Sequence, residues 1–452
     1  MPRRPLPTTL LLLVCATRTM IAQAPVYTLL YTPPSLAVPE SNPITILEAA
    51  PGLFYIVGAR ETTNFGYSIF TATSTGAVNL TYSFPPSTDA FMLVQATNGS
   101  LYGPGYANQN QDEFYFSIAP SGSGLQQFPV PGGWGSASDM IVVPPAEFYD
   151  ILAANHSTKR IFALARISEA GKVTIVRQFS GSDGAPASGV NLVYGPDGNF
   201  YGVGNQQYGG ISPGFIYRIT PQGAYSQLLS FPTFPSNGLG TPLIAASDGN
   251  LYGIFDVGGT NKTGEIYQAT LSGGLQTVAS FPAKGMAQPL TLMEAADGNI
   301  YGSTNTNSIF RYNLKTHALT DAYQMALNGS QARCACPLIH GMDGKLYGVS
   351  SFGGNYPGAG TLFSLDLGLQ RPKPAVSALY PSGGPAGSRV LLWGNYLLAA
   401  KSVAFNGVPA ASFQVTSGQS VWATVPEGAT SGPVTIATPN GSFTTSGQFT
   451  VQ

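Results

Sequence analysis

Charge is the scarcest feature of this 452-residue chain: Asp, Glu, Lys and Arg together make up 9% of it, and 20 basic residues nearly cancel 21 acidic ones. Such a chain has no overall field to draw it to nucleic acid or to an anionic membrane surface, so neither is expected as a partner. Histidine and cysteine are almost as rare, at three each. Three histidines leave little material for a Ser-His-Asp triad, and neither an HExxH run nor a phosphate-binding loop occurs. No apolar run approaches the roughly 20 residues of a membrane span. Long helices are disfavoured as well, because 55 Gly and 36 Pro amount to about one residue in five. Hydrophobic residues, by contrast, reach 43%, and the length exceeds one ordinary domain. Those two facts call for a large core built from strands.

The start of the chain carries an address. Arg3 and Arg4 precede an apolar run from Leu10 to Ala16, and Ala22-Gln23-Ala24 follows. Basic, apolar, small is the order of a secretory signal, assigned to 1–24, and the protein is expected to be secreted, extracellular or periplasmic. Cys15 follows Val14 rather than the small residue that lipid attachment wants, so no lipid anchor is expected. The mature chain keeps Cys334 and Cys336. Residues two apart on a strand lie near the upper limit of disulfide Cα separation, so a bond between them needs a turn; a disulfide and two free thiols are the alternatives. With His340 they form a cluster of soft-metal character, but no fourth ligand lies nearby in sequence, so no metal and no cofactor are expected.

The organising fact is a repeated hairpin. It reads NGSLYG at 98–103, DGNFYG at 197–202, DGNLYG at 248–253, DGNIYG at 297–302 and DGKLYG at 343–348, with weaker copies PGLFYI at 51–56 and AEFYDI at 146–151. The motif tyrosines are Tyr55, Tyr102, Tyr149, Tyr201, Tyr252, Tyr301 and Tyr347, at intervals of 47, 47, 52, 51, 49 and 46 residues. Each unit holds four strand-like runs, here called a to d; in the fourth they are 190–194, 200–203, 215–219 and 225–231. Asp-Gly between a and b supplies the positive φ that a two-residue turn demands. A Gly-rich loop joins b to c, and a long crossing leads from d to the next a, as passage from an outer to an inner strand requires. The seventh unit lacks a d strand, but VYTLLY at 26–31 has that character and precedes the first a strand. The first segment is therefore expected to complete the last unit and close a seven-bladed β-propeller over 25–368.

The unit resembles the GloVer tandem repeat of secreted bacterial proteins, on Phe179, Gly181, Asp183, Gly184, Pro186, the motif at 197–202 and Gly209-Gly210. The resemblance covers about 350 residues, weakens in units 1 and 3, and brings no assigned catalytic residue. It implies a secreted architecture with a variable accessory domain at its C-terminal end. After a linker at 369–373 the pattern changes to short alternating runs with Pro and Gly between them, an Ig-like β-sandwich over 374–452. This segment resembles the IPT/TIG domain at Pro381, Gly384, Gly387, Gly394, Phe405, Val425, Pro426, Gly432 and Val434. The fold class is thus all-β: a seven-bladed propeller followed by an Ig-like sandwich.

The motif tyrosines read as core, because their period matches the blade, and Asp197, Asp248, Asp297 and Asp343 read as turn formers, because an oxygen-rich calcium spacing is missing. If strand a is innermost, the d-to-a and b-to-c loops open on one face and the tight turns on the other. The long-loop face is the expected binding face. Its aromatics Tyr106, Trp134, Tyr208, Phe234, Phe352 and Tyr356 are placed to stack on sugar rings or anchor a peptide, with Asn205, Gln206 and Asn261 as uncharged hydrogen-bond partners. No catalytic residue is assigned. The reading is a non-catalytic, monomeric recognition or scaffold protein with a glycan or cell-surface protein as partner. The alternative is an extracellular polysaccharide hydrolase or lyase using acidic residues at the channel, where Asp112, Glu113, Asp139, Asp256 and Glu265 lie in or near candidate loops.

Overall fold

The computed structural model describes residues 24–34, 43–60, 66–107, 112–136, 140–154, 161–179, 185–186, 192–205, 214–231, 243–326, 337–350, 353 and 359–452. Among these residues there is no helix, and the strands form nine small sheets. Seven of the sheets follow one another along the repeats, all with antiparallel pairing in the order a-b-c-d. In the fifth unit the strands are Leu243–Ala245, Leu251–Phe255, Glu265–Ala269 and Leu275–Ser280. The seventh sheet takes its outer strand from the other end of the chain: Val26–Tyr31 runs antiparallel to Thr361–Asp366, with Val26 opposite Asp366.

The repeated hexapeptide explains itself once its atoms are placed. Asp197 Oδ1 accepts the Asn199 amide hydrogen at 3.2 Å, which closes the turn, and Oδ2 accepts the Tyr201 hydroxyl at 2.7 Å. Asp248 with Tyr252, Asp297 with Tyr301 and Asp343 with Tyr347 repeat the arrangement at 2.7, 2.9 and 2.8 Å. Each tyrosine ring can therefore be buried without stranding its hydroxyl. Where the unit has no such aspartate the hydroxyl finds another acceptor: Tyr55 donates to the Pro120 carbonyl, Tyr102 to the Glu169 carbonyl and Tyr149 to the Glu147 carboxylate. Gly249 follows the aspartate at φ 85°, a left-handed conformation that other residues reach only with strain.

The core is divided by sheet boundaries. Every motif tyrosine shares a core cluster with the residue that precedes the motif tyrosine of the next unit: Tyr102 with Phe148, Tyr149 with Phe200, Tyr201 with Leu251, Tyr252 with Ile300, Tyr301 with Leu346 and Tyr55 with Leu101. The last unit does the same with the first, through Tyr347 and Phe54, whose ring centroids are 4.4 Å apart. All seven tyrosines are at most 5% exposed, and burial of each ring contributes roughly 1.5–3 kcal/mol. The glycine after the tyrosine has a steric reason. At Gly253 a Cβ would lie 2.1 Å from the Tyr267 ring of the facing strand. The third unit breaks this rule in both partners at once, with Asp150 opposite Ala165 in place of a glycine opposite an aromatic ring.

Residues 375–451 form the remaining two sheets, one of four strands and one of five, around a separate core that includes Val390, Leu392, Phe405, Val421, Val434, Ile436 and Phe449. They sit on the tight-turn ends of the first seven sheets. The Trp422 indole N–H donates to the Thr97 carbonyl at 2.9 Å, with the Arg389 guanidinium 4.8 Å over its ring. Asn440 Nδ2 donates to the carbonyls of Met342 at 2.9 Å and Pro372 at 3.1 Å.

Candidate functional site

The inner strands define an axis, and register decides what faces it. Counting eight residues back from each motif tyrosine gives Leu47, Val94, Ile141, Val193 and Ile244 in the first five units. These side chains line an axial cavity of ≈490 Å³. Seven residues back the series is Glu48, Gln95, Val142, Tyr194, Ala245, Glu294 and His340, so a polar ring lies nearer the tight turns. Ser417, Gly418 and Gln419 of the C-terminal segment reach this end of the axial cavity. A second cavity of ≈310 Å³ lies beside it, bounded by Glu48, Glu294 and His340 on one side and by Asn395, Tyr396 and Leu398 on the other.

The polar ring is also a set of clasps between neighbouring sheets. Glu48 accepts the Gly52 amide hydrogen at 2.9 Å within its own hairpin and the Met342 amide hydrogen of the seventh sheet at 3.0 Å. Glu294 accepts both the amide at 2.7 Å and the hydroxyl of Ser247 in the fifth sheet. His340 Nδ1 accepts the Ala296 amide hydrogen at 3.1 Å. Burial pushes the Glu48 carboxyl up to about 7, against the lowering effect of the Gly52 and Met342 amides. Burial raises Glu294 as well, and it lowers His340, opposed by the Asp297 carboxylate. The Tyr396 hydroxyl is pushed well up, by burial first and then by Glu294, Asp297 and Glu48.

At the opposite, long-loop end an aromatic group stands on the first two sheets. Phe91, 38% exposed, has its ring centroid 5.5 Å from Tyr67 and 5.2 Å from Tyr106, both edge-on. Burial pushes Tyr67 up to about 12, with Asp89 adding to it. Tyr106 is raised further, by burial and then by the Glu113, Asp150 and Asp89 carboxylates. Burial also raises Asp89. Asp150 is fully buried and accepts the Tyr115 hydroxyl of the neighbouring sheet at 2.8 Å.

The residues anticipated from sequence are distributed unevenly over these places. Tyr106 and Asn205 were expected in loops but lie at the ends of strands Leu101–Ala107 and Phe200–Asn205, because hairpin pairing continues beyond the motif. Trp134 was also expected in a loop, and instead begins strand Trp134–Ser136, paired with Ala154 and packed against the core shared by the second and third sheets. Asn261 turns its amide inward, donating to the Phe281 carbonyl at 2.9 Å and so tying the b-to-c loop of the fifth unit to its outer strand. Glu265 accepts the Thr277 hydroxyl on a strand, and Asp256 is half-buried at the start of that loop. Gln206, Tyr208, Phe234, Phe352, Tyr356, Asp139, Cys334 and Cys336 lie outside the described residues, as do the segment 1–23 and the side chains of Asn205 and Asp112. Among the described residues no three His, Cys, Asp or Glu side chains gather as metal ligands. Sequence reading missed Phe91, Tyr67, Asp89, Asp150 and the polar ring as a unit, of which it singled out His340 alone, beside Cys334 and Cys336. The signal for the ring was present, in the fixed offset of seven from the motif tyrosine.

Comparison with known proteins adds the fold and the repeat. The Gloeobacter/Verrucomicrobia repeat family matches residues 92–308, which makes this a repeat protein. No curated protein matches it in sequence. Among solved structures, an oligogalacturonate lyase in complex with manganese superposes with a TM-score of 0.51 at 12% identity, covering 76% of this chain and 96% of that one. An oligogalacturonate lyase from Vibrio parahaemolyticus gives 0.48 at 12% identity over 76% and 97%, and the Dos1 propeller 0.47 at 12% over 72% and 78%. The likeness is one of architecture: an all-β, propeller-like protein.

Proposed function

We propose that this chain is a secreted, non-catalytic binding or scaffold protein that recognises a glycan or a surface protein through its long-loop face. In this reading 25–368 is a seven-bladed β-propeller closed by its N-terminal strand, and 374–452 is an IPT/TIG sandwich seated on the tight-turn face. The observation that carries it is the occupation of that tight-turn face. Ser417, Gly418 and Gln419 stand at one end of the axis, and Glu48 and Glu294 each hold a neighbouring backbone amide. A carboxylate fixed in that way positions a turn rather than moving a proton. The opposite end presents Phe91, Tyr67 and Tyr106, rings suited to stacking on a sugar or on a peptide side chain.

A second reading is favoured by the carboxylates around Tyr106. Asp89, Glu113 and Asp150 all bear on that hydroxyl, and a polysaccharide hydrolase or lyase needs acidic groups held together in this fashion. The experiment is a screen of the purified mature chain on a glycan and polysaccharide array, with every hit incubated and assayed for released product. Binding without turnover, lost in Phe91→Ala or Tyr208→Ala, is the expected result. Turnover abolished by Glu113→Gln replaces the first reading with the second.

A further inference from the structure

The space on the axis is apolar at one level and all the way round. Leu47, Val94, Ile141, Val193 and Ile244 line the cavity of ≈490 Å³. The same offset of eight from the motif tyrosine gives Met293 and Ile339 in the last two repeats, and these line the cavity of ≈310 Å³. The two cavities share Leu47, Glu48, Gly418 and Gln419, so they adjoin as one axial space. Each of the seven side chains packs at the margin of a different core cluster, and each is only half-buried. Apolar groups at the centre of a protein are ordinarily covered by close packing. Here a whole ring of them, one from every repeat, faces a bore instead.

Size and shape choose the occupant. Repeat sheets surround the space, and Tyr396, Leu398 and Ser417 to Gln419 stand across its tight-turn end, so a folded partner or a second copy of the chain cannot enter it. Apolar walls hold water poorly, because an ordered water needs polar partners. None of the seven side chains is aromatic, so a flat ring finds no face to stack on, whereas a flexible chain lying along the axis touches the whole ring. Among the described residues no Lys or Arg lines either cavity, while Glu48 and Glu294 do, which disfavours an anionic head. Both carboxyls already accept a backbone amide hydrogen, and the lone pairs that remain suit a hydroxyl. We infer that the axial space binds an unbranched aliphatic chain with an uncharged hydroxyl head. The chain runs through the ring of Leu, Val, Ile and Met side chains, and the head lies at the polar end beside Glu48 and Gln419. The site is separate from the long-loop face, and either can exist without the other.

The test uses the full mature chain labelled with 13C at its methionine methyls, titrated with n-hexanol, n-octanol and n-decanol, and read by NMR and calorimetry. Met92 and Met140 line the larger cavity and Met293 the smaller, whereas Met286 and Met325 belong to core clusters and line neither. The expected result is a saturable shift at Met92, Met140 and Met293 with Met286 and Met325 unmoved. The Kd should tighten about tenfold for each pair of methylenes added, reaching about 0.1 mM or tighter with n-decanol. Val193→Phe, which narrows the bore, should weaken n-decanol about tenfold or more, and decanoate should bind the native chain about tenfold or more weakly than n-decanol. Should Val193→Phe fail to fold, the native methyl shifts and the chain-length series decide the matter. The inference is overturned by the absence of a saturable shift at the three cavity methyls with any alkanol, which leaves the space to water. It is overturned equally by an affinity that does not grow with chain length, by n-decanol binding that Val193→Phe leaves untouched, or by tighter binding of decanoate or decyltrimethylammonium than of n-decanol.

Discussion

Replacing Glu48 by Gln should abolish a specific part of the protein's pH response. Burial lifts this carboxyl from its ordinary 4.5 to about 7 although two backbone amides donate to it. At about 1.4 kcal/mol for each tenfold, that gap makes the ionised form roughly 3 kcal/mol less favourable in the fold than in the unfolded chain. The sign follows from which state holds the proton more tightly. The folded state does, so the contribution of Glu48 is fully present below pH 4.5 and is lost as the pH rises through 7. From this residue alone, unfolding free energy should fall by about 3 kcal/mol between roughly pH 4 and pH 8. Glutamine keeps one oxygen as acceptor and gives up one amide contact, a loss of about 0.5–1.5 kcal/mol. Glu48→Gln should therefore be about 1 kcal/mol less stable than the native chain near pH 4.5 and about 2 kcal/mol more stable near pH 8, a crossover that uniform damage cannot produce. Urea denaturation of both chains, followed by fluorescence across that range, measures it. Parallel curves for the two proteins would refute the reasoning.

Other variants test other parts of the account. Tyr301→Phe removes the hydroxyl that Asp297 accepts at 2.9 Å and should lower stability by about 1–2 kcal/mol; an unchanged denaturation midpoint means the bond carries no weight. In the third sheet Asp150→Gly leaves the Tyr115 hydroxyl without its carboxylate, and Ala165→Phe crowds Asp150. Each should destabilise, while the double variant, which restores the glycine-against-ring pairing of units two, four, five, six and seven, should recover about 1 kcal/mol or more beyond the sum; strict additivity in a double-mutant cycle speaks against the pairing rule. Trp422→Ala removes the bond to Thr97 and the stacking of Arg389 without hollowing the sandwich core, to which Val421 and Ala423 belong. Limited proteolysis should then cut the chain between 369 and 373, the proposed linker, at protease ratios that leave the native chain whole, and equal resistance would show that the seat of residues 375–451 does not depend on this contact.

How much of this was legible in the chain follows from the range of each interaction. The turn aspartate and its tyrosine are four residues apart, so the hairpin and its period could be read directly, and strand a of each unit could be placed from the same frame. The pairing of Val26–Tyr31 with Thr361–Asp366 was legible for a different reason, a missing outer strand at one end and a surplus one at the other. The polar ring was not seen as a unit. Glu48, Glu294 and His340 lie far apart in sequence and become neighbours only when separate sheets meet around an axis. The seat of the C-terminal sandwich was equally invisible, since Trp422 and Thr97 are 325 residues apart and neither belongs to a motif. Trp134 was misplaced because its loop-like context, with Gly132 and Gly133 before it, conceals a short strand. Phe91 escaped notice because it stands between two strand fragments too short to show alternation, Asp89–Ala90 and Val94–Gln95.

The pairing of residue 26 with residue 366 also sets an order of events. A chain emerging from its N-terminal end delivers the Val26–Tyr31 strand first and its hydrogen-bonding partner more than three hundred residues later. Through that interval Val26–Tyr31 is the strand that must wait, an open edge in a growing protein whose other repeat sheets take their strands in succession. Loop closure over such a distance is slow and leaves strand edges exposed to wrong partners. Completing this sheet is then the capture of an early segment by a late one, and any factor that escorts this protein through synthesis has that strand to shelter.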